Sequence, residues 1–469
     1  MKKIIAIFTI LSIFAVSNPY IPYELEYQIS DIPLNRETYS IYIKNIDSGE
    51  EIASWNIYKP MTPASVIKLL TAYAGVLGLG FDYRWETKFF HSGYIKNGTL
   101  HGNLIVKASG DPTLKTEDIY DIVNKLESFG VKKILGDIVI DRSLFKVPWQ
   151  NSSKFDKNRY SPYNAMPDAM MFNERKSTLC VTPNRRGIKL NRADNDRSYK
   201  IVNRLKVVNT SCKKGYSWPK VTIKTDTNQR STIFLSGKLS KRCGTRKICK
   251  VISMPHRAFY YALKSELNRR GIKFQGTLKL KKVSNRDKYM FSHYSPTLKD
   301  VISIILKNSN NLVARQLFLT IGTIYYKPPI DTLKASSAVK RILNSHNILA
   351  DNYTVIQNGS GLSRVSRVST KTLANLLEDA YANYGYEWLE SLATAGIDGT
   401  IRRRFQNSNL YGRAWMKTGT IKNVSNIAGY VDGISGNKYV VIVLVNSPKS
   451  KTYGRTLANR IIEWVGDNL

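Results

Sequence analysis

The chain has 469 residues and carries 71 Lys and Arg against 35 Asp and Glu, which gives a formal net charge of +36 at pH 7. This length exceeds what one hydrophobic core usually supports, so we expect two or three domains. The sequence contains neither a Gly-x-Ser-x-Gly elbow nor a phosphate-binding loop, and its five histidines form no metal-like pair. These absences argue against an elbow-type hydrolase, a nucleotide-binding enzyme and a histidine metal site.

The first residues predict a secretory signal. Met1 is followed by two lysines and then by a mostly apolar run over residues 4–16. Residues 15–17 resemble a small-residue cleavage site, and the run is shorter than the roughly 20 apolar residues that a spanning helix needs. No cysteine stands at the cleavage point to carry a lipid. We therefore expect a signal peptide over residues 1–17, export to the periplasm, and a mature chain without a membrane span.

The first chemical motif is Ser65, followed three residues later by Lys68. Pro63 suits the first turn of a helix and Thr62 suits its cap, so the pattern predicts a helix that begins just before Ser65. One helical turn brings the Lys68 amine within reach of the Ser65 hydroxyl. The amine can act as a base if burial or a second cation lowers its pKa, and Lys417 is a candidate for that cation. Ser-x-x-Lys occurs six times in the chain, but only this copy has a convincing helical setting.

An insertion separates the first motif from the second. Ser65 and Ser309 are 244 residues apart, whereas Ser309 and Lys417 are 108 residues apart. Within residues 104–177 the pattern predicts a strand, a helix and a strand. Residues 178–289 hold short strand-like runs separated by basic turns.

All four cysteines lie in this insertion, at Cys180, Cys212, Cys243 and Cys249. In an oxidising compartment they predict up to two disulfides, with Cys243–Cys249 as a local loop. Cys-x5-Cys is not the usual spacing of zinc ligands, so we prefer disulfides to a metal site. Four buried free thiols are a third alternative.

The insertion also carries most of the positive charge. Residues 175–290 hold 31 Lys and Arg against 5 Asp and Glu, which accounts for +26 of the +36. Because the chain has an export signal, an anionic wall polymer, lipid head groups or an acidic partner fits this charge better than nucleic acid does. A solvated basic surface without a partner is the alternative. We therefore expect no nucleic-acid partner and name an anionic envelope surface as the candidate.

The second motif interrupts a helix. Residues 298–321 follow a helical apolar period that contains the polar residues Ser309, Asn310 and Asn311. Such side chains compete with the backbone inside a helix. Either the helix breaks here as a surface loop, or the cluster faces a cleft. If the cluster faces a cleft, Ser309 can act as a proton relay and Asn311 can form a hydrogen bond to a substrate amide. We favour this second alternative because the other two motifs are present.

The third motif is Lys417, Thr418 and Gly419, a tripeptide that occurs once in the chain. The apolar runs around and after it predict successive antiparallel strands of one sheet. A strand edge with this motif offers a cation, a hydroxyl and open backbone groups to an extended peptide with a terminal carboxylate. Gly419 allows such a peptide to approach the backbone closely.

In this order the three motifs resemble those of the low-molecular-mass class C penicillin-binding proteins, a D-alanyl-D-alanine carboxypeptidase and endopeptidase family. The likeness runs from about residue 39 to the C-terminus. Further matching segments are Gly110 to Leu114, Gly359 to Arg364 and Ala395 to Thr400. The resemblance implies an α/β (α+β) fold, with a penicillin-binding, serine β-lactamase-like transpeptidase domain. In that domain helices flank an antiparallel sheet, and smaller domains are inserted into it.

The motif spacing and the resemblance together predict a discontinuous catalytic domain. The expected bounds are 18–85 and 290–469 for the catalytic penicillin-binding domain, 86–103 and 178–289 for a basic, β-rich inserted domain, and 104–177 for a nested βαβ-containing domain.

The resemblance implies a serine peptidase that uses no cofactor and no metal. Ser65 would be the nucleophile, Lys68 its base, and Ser309 the group that passes the proton to the leaving amine. The substrate-binding residues would be Asn311, Lys417, Thr418, Gly419 and Thr420. The backbone N–H groups of Ser65 and Thr420 would form the oxyanion hole. The implied partners are the stem peptides of peptidoglycan, with β-lactam antibiotics as covalent inhibitors.

Three positions depart from the family pattern. Asn310 and Asn358 stand where the family usually has Asp, and the segment that helps select the peptide side chain is weakly matched near residues 148–151. Two other functions need weighing. A serine β-lactamase shares the three motifs, but its Glu-containing deacylation loop is not found. A catalytically inactive, basic wall-binding protein is opposed by the intact motif set.

Overall fold

The computed structural model describes residues 19–148, 155–193 and 196–469. The predicted signal peptide lies outside the described residues, and so do residues 149–151 of the weakly matched segment. Among the described residues, no helix is long and apolar enough to cross a membrane.

A six-stranded antiparallel sheet carries the third motif. Its strands, in spatial order, are β18 (Ala393–Thr394), β19 (Ala414–Ile421), β20 (Val424–Asp432), β21 (Lys438–Asn446), β1 (Tyr39–Asn45) and β2 (Glu51–Trp55). The N-terminal strand β1 pairs along its whole length with the C-terminal strand β21. Strand β21 is buried almost throughout, which explains its near-continuous apolar sequence.

Helices cover both faces of this sheet. The described residues contain nine α-helices: α1 (Tyr23–Ile29), α2 (Lys68–Leu79), α3 (Asp118–Ser128), α4 (Pro255–Arg269), α5 (Leu298–Lys307), α6 (Asn311–Tyr325), α7 (Thr332–Ser345), α8 (Thr370–Leu389) and α9 (Arg455–Asn468). Alternate strand residues point to opposite faces, so Tyr42 and Tyr430 join the core built with α2 and α8. Ile41 and Val441 join the second core, built with α1 and α9. An antiparallel sheet between two helical layers confirms the predicted fold class.

The helix predicted over residues 298–321 is interrupted at the second motif. Helix α5 ends at Lys307 and α6 begins at Asn311. Ser309 adopts the left-handed conformation, with φ +55°, and the Asn310 side chain accepts from the backbone N–H groups of Leu312 and Val313. The polar cluster therefore breaks the helix and caps its second half.

The insertion contains two mixed sheets. Their strands are β3 (Glu86–His91), β4 (Tyr94–Lys96), β5 (Thr99–His101), β6 (Leu104–Lys107), β7 (Lys133–Ile134), β8 (Ile138–Asp141), β15 (Lys273–Phe274), β16 (Leu278–Leu280) and β17 (Lys288–Tyr294). Strands β6 and β8 are parallel, with α3 between them in sequence. Strand β3 pairs with β6, so one sheet draws on both segments that the sequence assigned to separate inserted domains. The domain bounds themselves stay a proposal.

Two three-stranded sheets form the basic part of the insertion. One consists of β10 (Gly187–Arg192), β9 (Ser177–Asn184) and β14 (Arg246–Lys250), and the other of β11 (Tyr199–Val208), β13 (Ser231–Ser240) and β12 (Lys220–Thr225). They enclose a small apolar core of their own, which includes Leu179, Ile233 and Leu235.

The predicted Cys243–Cys249 disulfide is wrong. Cys243 is bonded to Cys212, with their Cα atoms 5.0 Å apart, while Cys180 and Cys249 are free. Cys249 lies inside strand β14, opposite Thr178 of β9, so strand pairing fixes its place away from Cys243. Register between strands, and not closeness in sequence, decides which thiols meet.

Candidate active site

The first motif lies where a short 3-10 helix leads into α2. The 3-10 helix spans Ala64–Ile67 and α2 begins at Lys68. Pro63, expected in the first turn, instead precedes the 3-10 helix, and Thr62 does not cap it. The backbone N–H of Thr62 donates to the side chain of Asn446, because this segment is held by the sheet.

Lys68 is the centre of a polar cluster. Its Nζ donates to Ser65 Oγ at 2.9 Å, to Asn311 Oδ1 at 2.7 Å and to the carbonyl oxygen of Ser360. Residues from the first motif, the second motif and a loop almost 300 positions away therefore meet at one amine. The contact between Ser65 and Lys68 matches the expected reach of one helical turn, whereas the hydrogen bond of Asn311 to Lys68 was not expected from the sequence.

The electrostatics of the site favour a neutral Lys68. The side chain is completely buried, and burial together with the nearby charges of Lys417 and Arg315 holds the pKa of Lys68 well below its ordinary value. Once neutral, the amine keeps two N–H groups, for Asn311 and Ser360, and its lone pair faces Ser65 Oγ, so it can take the proton of the Ser65 hydroxyl. The structure thus agrees with Lys417 as one nearby cation and adds Arg315 as another.

The second motif supplies Asn311 at the start of α6. Its Oδ1 accepts from Lys68, and its Nδ2 donates to the carbonyl oxygen of Tyr163 at 3.3 Å. Asn310 points elsewhere and donates to Glu174 at 2.6 Å, which fits a capping role. Ser309 is half-buried beside them, and its hydroxyl makes no hydrogen bond to a described residue.

The third motif lies on an exposed strand edge. Strand β18 pairs only with Trp415 and Met416 of β19, so the edge from Lys417 onward carries no strand partner among the described residues. Lys417 is completely buried, and burial lowers its pKa to about 7. Its Nζ donates to the carbonyl oxygen of Thr418 at 3.1 Å. Thr420, further along the edge, is exposed.

Gly419 brings this strand against the nucleophile. A Cβ added at Gly419 would lie 2.9 Å from the backbone nitrogen of Ser65 and 2.8 Å from the carbonyl oxygen of Pro63. A larger residue would push the strand and the 3-10 helix apart. Only glycine permits this close approach without displacing the backbone of Ser65.

The loop around Ser360 is part of the site, although its motif received no role in the sequence analysis. Gly359 and Gly361 both have left-handed φ angles, +67° and +81°, which wrap the loop around Lys68. Asn358 accepts hydrogen bonds from the Ser360 backbone and from its hydroxyl, at 3.1 and 2.9 Å. The amide oxygen of Asn358 thus serves as the acceptor at a position where the family usually has a carboxylate.

Arg315 was not singled out from the sequence. It is 4% exposed and donates to the Ser360 hydroxyl at 3.2 Å and to the carbonyl oxygen of Ala165 at 2.7 Å. It forms no ion pair with a described residue, and burial lowers its pKa to about 10. Its position four residues after Asn311, one turn further along α6, is the sequence signal that could have pointed to it.

Comparison with known proteins identifies the family of the chain. Residues 23–467 match the D-Ala-D-Ala carboxypeptidase 3 (S13) family. The chain is 28% identical over 455 residues to "D-alanyl-D-alanine carboxypeptidase DacB" of Haemophilus influenzae, across 95% of this chain and 94% of that protein. It is 23% identical over 445 residues to "Penicillin-sensitive carboxypeptidase A" of Dictyostelium discoideum, across 88% of this chain and 83% of that protein.

The fold is similar to solved structures of the same group. Penicillin binding protein 4 (dacB) from Haemophilus influenzae matches with a TM-score of 0.80 and 25% identity, covering 94% of this chain and 98% of that chain. The same protein complexed with a novel β-lactam matches with a TM-score of 0.75 and 26% identity, covering 94% and 100%. Since the family match spans nearly the whole sequence, the chain belongs to the D-Ala-D-Ala carboxypeptidase 3 (S13) family.

Proposed function

We propose that the protein is a penicillin-sensitive serine DD-peptidase that hydrolyses D-Ala–D-Ala termini of peptidoglycan stems, D-amino-acid cross-links between stems, or both. The observation that carries the proposal is the contact between Ser65 Oγ and the buried amine of Lys68, whose pKa is lowered. Family membership over residues 23–467 supports the same reaction class.

In the proposed mechanism Lys68 takes the proton of Ser65 as its oxygen attacks the substrate carbonyl. The N–H groups of Ser65 and Thr420 stabilise the oxyanion, and Ser309 passes the proton to the leaving amine. The peptide C–N bond breaks and an acyl ester forms on Ser65. Water then attacks the ester, and its proton returns through the same groups.

Substrate binding uses the open edge of β19. Lys417, Thr418 and Thr420 place a cation and two hydroxyls beside the strand, where a terminal carboxylate can be fixed. Asn311 holds the substrate amide, and Gly419 keeps the edge strand close to the backbone of Ser65. A penicillin presents an amide carbonyl and a carboxylate to the same groups, so it should acylate Ser65.

Intact-mass analysis after incubation with benzylpenicillin tests the proposal, with Ser65→Ala as the matched control. One drug mass on the wild-type protein alone is the expected result. Absence of an adduct with the drug intact would favour an inactive wall-binding protein. Absence of an adduct with the drug hydrolysed would favour a β-lactamase.

Export to the periplasm and an anionic envelope surface as partner complete the proposal. The sheet β11-β13-β12 supports binding to an anionic envelope surface. Its inner residues pack in the small core, while its outer face is basic. The exposed cations of that face are Lys200, Arg204, Lys206, Lys220, Lys224 and Lys238. None of them forms an ion pair with a described residue, so their charge is available to an anionic surface.

A further inference from the structure

A cationic cavity lies on the other side of the edge strand from the nucleophile. Its volume is about 580 Å³. Among the described residues, five positively charged side chains and no carboxylate line it; the cations are Arg402, Arg403, Arg404, Lys451 and Arg455. They come from two segments, which are the chain after the 3-10 helix Gly399–Ile401 and the continuous stretch from the turn Ser450–Gly454 into α9, while strands β19 and β20 form a third part of the wall.

The cavity shares its wall with the third motif. Thr418 and Thr420 line it, together with Ser425 of β20. Thr420 lies opposite Ser425 in the strand pair, so these side chains share one face, whereas Gly419 faces Ser65. The cavity is therefore separated from the acylation site by the thickness of one edge strand, and the free edge connects them.

The charges of the cavity are not compensated from within the protein. None of the five cations forms an ion pair with a described residue, and the nearest acidic influence on Arg404 is Glu463 of α9. Burial and the neighbouring Arg455 lower the pKa of Arg404 to about 10. Two buried polar atoms, Arg404 Nε and Ser450 Oγ, have no hydrogen-bond partner among the described residues. An anionic ligand in the cavity would compensate the unpaired charges.

We infer that this cavity is a leaving-group subsite for an acidic peptide. The inference rests on the proposed function and deepens it. In carboxypeptidase cleavage the leaving group is a single D-alanine, whose carboxylate ends at Thr418 and Thr420. In cross-link cleavage the leaving amine belongs to a second stem peptide, which continues past these threonines and carries further carboxylates. The cavity begins at Thr418 and Thr420, where the second stem peptide would continue. Its five cations complement the negative charge of that peptide.

The subsite makes the enzyme selective for cross-links. Charge-assisted contacts to the leaving peptide are made only with the cross-linked substrate, so they raise kcat/KM for that substrate over kcat/KM for a D-Ala–D-Ala terminus. Screening by salt should reduce this preference, because Arg402, Arg403, Lys451 and Arg455 are exposed.

The test compares two substrates on the full-length protein. One is a cross-linked dimer of stem peptides with free carboxylates, and the other is a monomeric stem that ends in D-Ala–D-Ala. The double variant Lys451→Gln with Arg455→Gln should lower the ratio of kcat/KM, dimer over monomer, by about tenfold. Lys449→Gln is the matched control, since it removes an exposed charge two residues from Lys451 that does not line the cavity.

A dimer with its leaving-side carboxylates amidated gives a second readout. Wild-type protein should cleave it about tenfold less well than the free-acid dimer, and the double variant should lose most of that difference. An unchanged ratio in the double variant, or no preference for free carboxylates, overturns the subsite. So does a wild-type protein that forms the penicillin adduct and fails to cleave the dimer. Failure to form the adduct would instead reject the proposed function.

Discussion

Arg315 and Lys68 are linked through one residue, because Arg315 Nε donates to the hydroxyl of Ser360 and Lys68 Nζ donates to the carbonyl oxygen of Ser360. Both cations are buried, and neither forms an ion pair with a described residue. A buried guanidinium without a carboxylate is unfavourable for stability. The charge of Arg315 nevertheless favours catalysis, because it helps to lower the pKa of Lys68, whose amine must be neutral to act as a base.

Replacing Arg315 should therefore move the pH profile of acylation. In Arg315→Met the pKa of Lys68 rises, since one of the neighbouring charges that lower it is gone. The neutral amine then forms only at higher pH, so the acidic limb of the acylation rate with benzylpenicillin should shift to higher pH. Arg315→Lys keeps the charge and should shift the limb less. Identical profiles for the wild type and Arg315→Met would contradict this electrostatic role.

Lys417 should reduce the stability of the folded protein at neutral and acidic pH. Its pKa is near 7 in the folded protein, against an ordinary value of 10.5. Between these values the unfolded chain binds more protons, so stability rises with pH. The cost of burying the charge is fully present below about pH 7 and disappears as the pH approaches 10.5.

Lys417→Met should accordingly be more stable than the wild type at neutral pH, by about 1–4 kcal/mol in the free energy of unfolding. The difference should shrink at pH 10, and penicillin acylation should be impaired. Denaturant titrations at both pH values measure this. Lys422→Met is the control, because it removes an exposed lysine from the same hairpin. An equal gain at both pH values would refute the linkage argument.

Gly361 should be required for the shape of the site. A Cβ added there would lie 1.9 Å from the carbonyl oxygen of Ala64 and 2.9 Å from the nitrogen of Ser65, and its φ is +81°. Gly436 has a similar φ of +87°, but a Cβ there meets nothing within 4 Å. Alanine substitutions at Gly361 and Gly436 therefore distinguish the effect of the steric clash from the effect of backbone strain.

Gly436→Ala should cost about 1–2 kcal/mol in the free energy of unfolding, which is the price of the left-handed conformation alone. Gly361→Ala should cost clearly more and should slow acylation of Ser65. Chemical denaturation and the rate of benzylpenicillin adduct formation measure the two effects. Equal losses of stability, with acylation unaffected, would show that the contact with Ala64 is not important.

The local motifs could be predicted from the sequence because their spacing fixes their geometry. One helical turn joins Ser65 to Lys68, and alternation with apolar runs identifies the strand that carries Lys417. The polar cluster at Asn310 indicated a possible helix break, the alternative to the favoured cleft-facing cluster, and the Asn310 side chain does cap the following helix. In each case the information lies within a few neighbouring residues.

The remaining parts depend on contacts between distant segments. Arg315 acts on Lys68 through Ser360, 45 residues further along the chain, and no local pattern announces that contact. The Cys212–Cys243 bond follows from strand register, which short spacing does not reveal. The cationic cavity combines three segments that are apart in sequence, so its charge becomes visible only in the folded chain.

The basic face of the sheet β11-β13-β12 should bind anionic envelope material through screened electrostatics. Lys200 and Lys224 flank Thr232, and Arg204 and Lys220 flank Ser236, so the outer face repeats cation, hydroxyl and cation across its strands. At 0.01 M salt the screening length is about 30 Å, and at 0.15 M it is about 8 Å. Sedimentation of the protein with isolated envelopes should therefore be strong in low salt and weak at physiological salt.

Neutralising this face should lower the sedimented fraction in low salt. The test variant carries Lys200→Gln, Arg204→Gln and Lys220→Gln, and its control carries Lys96→Gln, Lys132→Gln and Lys133→Gln. Both variants lose three exposed charges from the insertion, so their net charges are equal. If the sheet face is the binding surface, the test variant should release more protein than the control does. Equal release would mean that only net charge matters, and unchanged sedimentation of both would mean that the insertion does not bind the envelope.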